Sequence, residues 1–166
     1  MRSVESSREG RCRDVSRVAD LMSPSPVTVD EGALVQDVLA TMSLRRIRHI
    51  LVVDARQRLV GLATYRDLTR PTPGGGQRLE PSYHGLPVGQ VMRRQVATVD
   101  AACCSGEAAR YMFRTKRGCL PVIDDEGRPV GILTEADFLR EFMRAGTGCG
   151  CSVEDGDFSG AERVPA

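Results

Sequence analysis

Apolar residues along this chain change their spacing in a fixed order, and the order occurs twice. Pro26-Val27-Thr28-Val29 is a short extended stretch, followed by Leu34, Val38, Leu39 and Met42 at helical spacing and then by Arg45-Arg46. Ile50–Val53 and Leu59–Ala63, joined by the polar run Asp54–Arg58, read as two strands of a hairpin, and a helix begins at Thr64. Further along, Cys104, Ala108, Ala109 and Met112 take the four helical positions, which makes Cys104 a core substitute for Leu34. Strands at Leu120–Ile123 and Val130–Leu133 follow, with Asp124-Asp125-Glu126-Gly127 suited to a tight turn. A helix then starts at Thr134 and continues through Phe138, Leu139, Phe142 and Met143.

The recurrence is a duplication. A shift of 70 residues aligns Val18–Arg70 with Val88–Arg140 without a gap, and fourteen positions are identical. They include Thr28-Val29-Asp30 with Thr98-Val99-Asp100, Val60-Gly61 with Val130-Gly131, and Thr64 and Asp67 with Thr134 and Asp137. The expected fold class is therefore α+β, built from two β-α-β-β-α units. One unit of about 55 residues buries too little surface to be secure alone, so the two should pack face to face. The expected divisions are an N-terminal extension (1–16), a first repeat (17–70), a Pro/Gly-rich linker (71–87), a second repeat (88–144) and a flexible C-terminal tail (145–166).

Composition narrows the function classes. Twenty-three Lys+Arg against 22 Asp+Glu give a net charge of +1, which lacks the basic excess that nucleic acid or an anionic membrane surface would require. Aromatic residues make up 4% and Trp is missing, so a base-stacking platform is poorly supplied. No apolar run approaches the roughly 20 residues of a membrane-spanning helix, and the N-terminus lacks a signal-peptide core. A cytoplasmic location is expected. The six cysteines (12, 103, 104, 119, 149 and 151) are irregularly spaced and read as free thiols, with no second ligand pair to complete a metal site around Cys149 and Cys151.

The chemistry concentrates in Gly61-Leu62-Ala63-Thr64-Tyr65-Arg66-Asp67 and Gly131-Ile132-Leu133-Thr134-Glu135-Ala136-Asp137. Each Gly leaves room for a close neighbour or a ligand. Each Thr and Asp can form a capping box at a helix start. The same geometry serves a nucleotide: a helix N-terminus favours phosphate, a Thr hydroxyl adds a hydrogen bond, and an Asp accepts from the ribose diol. Recurrence at the same point of both repeats raises this second reading to equal standing with the first.

These paired segments, each preceded by a Thr-Val stretch, with Cys119-Leu120-Pro121-Val122-Ile123-Asp124 in the second copy, resemble a tandem pair of CBS domains over about residues 17–144. The resemblance implies a pseudo-twofold module that binds an adenosyl ligand (AMP, ADP, ATP or S-adenosylmethionine) in clefts shared by both repeats, with no required cofactor. It implies that Asp67 and Asp137 contact ribose and that Thr64 and Thr134 lie near ribose or phosphate. Thr28, Thr98 and the backbone around Arg48-His49 and Gly118-Cys119 would line the adenine pockets. Asp137 should face the Thr28 and His49 side, and Asp67 the Thr98 and Cys119 side. It also implies a homodimer; the expected target is a separate protein, with a ligand buffer as the alternative role.

Departures from the family pattern make the two sites unequal. Arg48-His49 stands where the second copy has Gly118-Cys119, and Leu51 where it has Pro121. Tyr65-Arg66 follow Thr64 whereas Glu135-Ala136 follow Thr134, so the Asp67 cleft should be the more receptive to phosphate unless Arg48 compensates in the other. His84 lies in the linker with no readable role, and Arg45-Arg46, Arg93-Arg94 and Lys116-Arg117 read as solvated faces, with phosphate contact as the minor alternative. No nucleophile–base pair, phosphate loop or metal cluster is present in the pattern, so an enzyme is not expected. The alternatives are a structural dimerisation module whose Thr-x-x-Asp segments are only caps, and a thiol switch through Cys149 and Cys151.

Overall fold

The computed structural model describes residues 16–69, 83 and 85–145. A short helix α1 (Val18–Leu21) and a two-residue strand β1 (Ser23–Pro24) lead into β2 (Thr28–Asp30), α2 (Val35–Arg45), β3 (His49–Val53), β4 (Leu59–Thr64) and α3 (Tyr65–Leu68). The second repeat follows the same order: a 3-10 turn at Val88–Gln90, then β5 (Val99–Asp100), α4 (Ser105–Thr115), β6 (Cys119–Ile123), β7 (Pro129–Thr134) and α5 (Glu135–Ala145). The fold is α+β, as the periodicity predicts.

Each repeat builds one sheet. β2 runs parallel to β3 and β3 antiparallel to β4, while β5 runs parallel to β6 and β6 antiparallel to β7. β1 joins the sheet of the other repeat, pairing Ser23 with Ile132 and Pro24 with Gly131 on β7. Its counterpart is the bridge between Arg93 and Leu62 on β4. The pairs differ by 70 in both partners, which is the pseudo-twofold relation seen as register.

The crossing extends into both cores. Val88 is fully buried among Val35, Val38, Met42 and Ile50 of the first repeat, and Val18 among Ala108, Met112 and Leu120 of the second. Backbone bonds repeat at the same offset: Val88 N–H reaches Ala33 O at 2.8 Å, and Val18 N–H reaches Cys103 O at 2.9 Å. Fully burying a Val is worth about 1.5 kcal/mol or more, so neither repeat keeps its core without a segment numbered with the other. The end of the expected 71–87 linker is likewise part of the fold, since Leu86 O accepts from Val35 N–H at 2.9 Å and Pro87 bridges Leu34.

Helices α2 and α4 follow the apolar spacing, burying Val35, Val38 and Met42, and Ser105, Ala108 and Met112. Both end on a left-handed non-glycine residue, Arg46 (φ 53°) and Lys116 (φ 54°). The expectation for Leu34 and Cys104 is corrected: each is a half-buried N-cap in extended conformation, bridged to the start of the other repeat, because each helix begins one residue later than the apolar pattern suggests. The role of Gly61 and Gly131 is also settled by a neighbour. A Cβ at Gly61 would run into the Met92 side chain, and one at Gly131 into Met22, so both glycines accommodate the crossing segments rather than a ligand.

Candidate functional site

The two Thr-x-x-Asp segments form caps. Thr64 Oγ1 accepts from Asp67 N–H at 3.2 Å and donates to Asp67 Oδ2 at 2.7 Å. In the second repeat Thr134 N–H and Oγ1 both donate to Asp137 Oδ2, at 2.7 and 2.6 Å. Asp137 is only 2% exposed, and its Oδ1 accepts from Arg140 at 2.9 Å and from Ser23 Oγ at 3.1 Å. Four donors therefore converge on one carboxylate.

Ser23 brings Asp137 to the edge of a cavity of about 170 Å³ lined by Pro26, Val27, Ile47, His49, Leu51 and Ile132, among others. The walls are mostly aliphatic and belong to the first repeat, with Ile132 supplied by the second. His49 sits on one side; a Cβ placed on Gly118 would stand 3.8 Å from both His49 Nε2 and Glu135 Oε2, which sets these three side by side. Arg48 and Gly118 contribute their carbonyls to the starts of α3 and α5, accepting from Tyr65 N–H at 2.9 Å and Glu135 N–H at 3.2 Å. The Thr28 side chain is exposed one residue beyond Val27.

Asp67 occupies the equivalent place on the other side. Its Oδ1 accepts from Arg93 Nη2 at 2.6 Å, and Arg93 lies close enough to Cys119 to act on the thiol electrostatically. Thr98 lies apart from this group, lining a larger depression of about 290 Å³ with Arg58, Leu59, Val60 and Arg94. That depression is a weaker candidate despite its size, because Arg58 is paired with Asp54 at 2.8 Å and Arg94 with Glu31 at 3.0 Å. Arg66 is exposed. Cys12, His84, Cys149 and Cys151 lie outside the described residues, and among those described no group of His, Cys, Asp and Glu is arranged to hold a metal.

Burial sets the charge at the centre. It is the main cause lowering the His49 pKa below 6.5, with Arg48 adding to the effect and Glu135 and Asp67 opposing it. Burial also pushes the Cys119 thiol up to about 12, against the pull of Arg117 and Arg93. At pH 7 the centre thus holds a neutral imidazole and an inert thiol. Because the folded His49 binds its proton less readily than the unfolded one, stability is complete above about pH 6.5 and falls as pH drops through the lower folded value. Denaturation midpoints between pH 7.5 and 5 should decline less steeply in His49→Gln than in the parent; identical slopes would count against a buried neutral His49.

Comparison with known proteins adds to this geometry. A family model, that of the CBS domain, matches residues 18–71 and again 88–144. The chain belongs to the CBS domain family. The solved CBS pair of protein MJ0100, in complex with 5'-methylthioadenosine and S-adenosylmethionine, is 25% identical with a TM-score of 0.68, over 80% of this chain and 99% of that one. CBSX2 from Arabidopsis thaliana in complex with AMP is 28% identical at a TM-score of 0.67, over 78% and 97%. The magnesium transporter MgtE of Thermus thermophilus is 36% identical over 124 residues, covering 72% of this chain but 25% of the transporter. The cytosolic domain of the Mg2+ channel MgtE, solved with ATP, matches at a TM-score of 0.59 and 34% identity over 72% of this chain and 46% of that one. This CBS pair thus spans about a quarter of the length of that curated relative.

Ser23 and Arg93 contact the paired aspartates; the sequence does not single out Ser23, and it offers Arg93 only as one of several basic pairs. They are each other's counterparts at the offset of 70, directly after the identical Met22 and Met92. That alignment is the signal that could have found them.

Proposed function

We propose that this CBS pair is a regulatory module that binds an adenosyl ligand in the space between its repeats and passes its occupancy to a separate protein. The observation that carries the reading is the cavity lined by Ser23, Val27, Ile47, His49 and Leu51 and closed by Ile132 of the second repeat, whose Ser23 hydroxyl donates to the capping Asp137 behind it. Adenine fits between Val27, Ile47 and Ile132, with the sugar directed past Ser23 to Asp137. At about 170 Å³ the cavity is smaller than the roughly 300–1,000 Å³ of a typical small-molecule site, so the repeats part slightly to admit the ligand. Such a shift is worth no more than the ligand's preference for the open state. The related pairs solved with AMP, with S-adenosylmethionine and with ATP support the ligand class.

Thr64, Thr134 and Asp67 take the equivalent roles proposed from the sequence, and Thr28, Arg48, Arg66, Gly118 and Cys119 border the two sites, whereas Thr98 lines the separate depression beside Arg58 and Arg94. A second reading, a dimerisation module without ligand, is favoured by one observation: both Thr-x-x-Asp segments already act as caps. Titration calorimetry with AMP, ATP and S-adenosylmethionine separates the two, the ligand reading predicting saturable heat with at least one and the cap-only reading none.

The same module is proposed to be a cytoplasmic homodimer. No helix among the described residues is long and apolar enough to cross a membrane, and α5 instead exposes Leu139, Phe142 and Met143 along one face. Sedimentation should give a dimer that Phe142→Asp shifts toward monomer; an unchanged mass would remove α5 from the interface.

A further inference from the structure

Every residue of one repeat has a counterpart 70 positions away, so a change of chemistry at one such pair isolates what distinguishes the two sites. Beside the change from Arg48-His49 to Gly118-Cys119, Ser23 and Arg93 are one such pair. Both stand on the crossing segments, and both are fixed by backbone pairing to the sheet that carries their aspartate. Ser23 lies opposite Ile132; Arg93 exchanges two bonds with Leu62, donating at 2.9 Å and accepting at 3.0 Å. Each then reaches Oδ1 of a capping aspartate, Ser23 as a neutral hydroxyl at 3.1 Å and Arg93 as a guanidinium at 2.6 Å.

The two donors do not yield to a ligand alike. A sugar hydroxyl replaces the Ser23 hydroxyl on Asp137 with one neutral hydrogen bond exchanged for another. Replacing Arg93 on Asp67 breaks a charge-assisted bond, and a neutral nucleoside returns nothing to the guanidinium. A phosphate does, because its oxygens match the guanidinium fork. Arg140 also holds Asp137, and the residue type at that position is Arg in both repeats.

We propose that Arg93 makes the Asp67 site selective for a phosphorylated adenosyl ligand: phosphate takes the guanidinium while the sugar hydroxyls take its place on Oδ1. The inference rests on the adenosyl reading above. The Arg93 side chain is 56% exposed, against 16% for Asp67, so it is the arginine that can move away from the pair. The guanidinium can swing outward while its backbone stays paired to Leu62. Beside it, Cys119 is a protonated thiol and adds no competing anion at neutral pH. The Asp67 site is thus receptive to phosphate through Arg93, which the sequence offers only as one of several basic pairs, rather than through exposed Arg66.

The test is calorimetry of the full chain with adenosine and with AMP, the Asp67 site being identified as the heat lost in Asp67→Asn. In the parent, AMP should bind that site at least about tenfold more tightly than adenosine. In Arg93→Ser, which copies Ser23, the preference should fall below about threefold, chiefly because adenosine binds better. Arg93→Gln, which keeps the stem without the charge, should behave as Arg93→Ser does, and circular-dichroism melts establish that both variants fold. An unchanged AMP-to-adenosine ratio in both variants, or equal binding of the two by the parent, overturns the role of Arg93 alone. Absence of heat with either compound in every chain overturns this inference, and absence with ATP and S-adenosylmethionine as well removes the adenosyl reading.

Discussion

Val88→Asp is expected to destabilise the first repeat by about 3–5 kcal/mol, although Val88 belongs by number to the second. Its side chain is fully buried among Val35, Val38, Met42 and Ile50, with no cation in that cluster to receive a carboxylate. The substitution therefore either buries an unpaired charge or expels the crossing turn, and expulsion strips Ala33 O of its bond from Val88 N–H as well. Against a typical domain stability of about 5–15 kcal/mol this is a large fraction of the total. Urea denaturation measures it, and hydrogen exchange at Ile50–Val53 shows where the loss falls. Leu44→Asp is the control: Leu44 is 83% exposed, and the change should cost no more than about 0.5 kcal/mol. If Val88→Asp behaved like that control, the crossing turn would not be part of the first core.

Asp137→Ala should cost about 2 kcal/mol and also abolish ligand binding at its cleft. The carboxylate caps α5 through Thr134 and receives Ser23 and Arg140, so its loss leaves the Thr134 N–H and two hydroxyls without their acceptor. Arg140 is well exposed and turns to water, which keeps the cost below that of a buried ion pair. Asp137→Asn retains one acceptor oxygen and should lose stability by only about 1 kcal/mol while still binding a ribose diol poorly. Calorimetry well below each melting temperature separates lost binding from lost fold. An Asn variant that binds as the parent does would remove Asp137 from ligand recognition.

The helices α2 and α4 and both hairpins were legible because each repeats a local period, and the offset of 70 made two weak patterns into one strong one. The crossing of α1 and the Val88–Gln90 turn was not legible. Three or four residues carry no period, and which core receives them is decided by close approach of Met92 to Gly61 and Met22 to Gly131, contacts remote in sequence. The stripe of Leu139, Phe142 and Met143 shows a second limit, since spacing identifies a face without saying what covers it. At the site, Thr64, Asp67, Thr134 and Asp137 were found through recurrence, whereas Arg93 did not stand out among the basic pairs because an Arg-Arg pair is usually solvated. Only its pairing with Asp67 across the repeats gives that arginine a task.

The exchanged leading segments also bear on how such a chain can arise. A single repeat has an open place in its core where a Val88-type turn must enter, and it carries on its own N-terminal arm the piece that fills the same place in a neighbour. Two copies of one repeat close both openings by trading arms, as a domain-swapped homodimer does. Joining those copies head to tail leaves every contact unchanged and frees the two sites to diverge, as Ser23 and Arg93 have done.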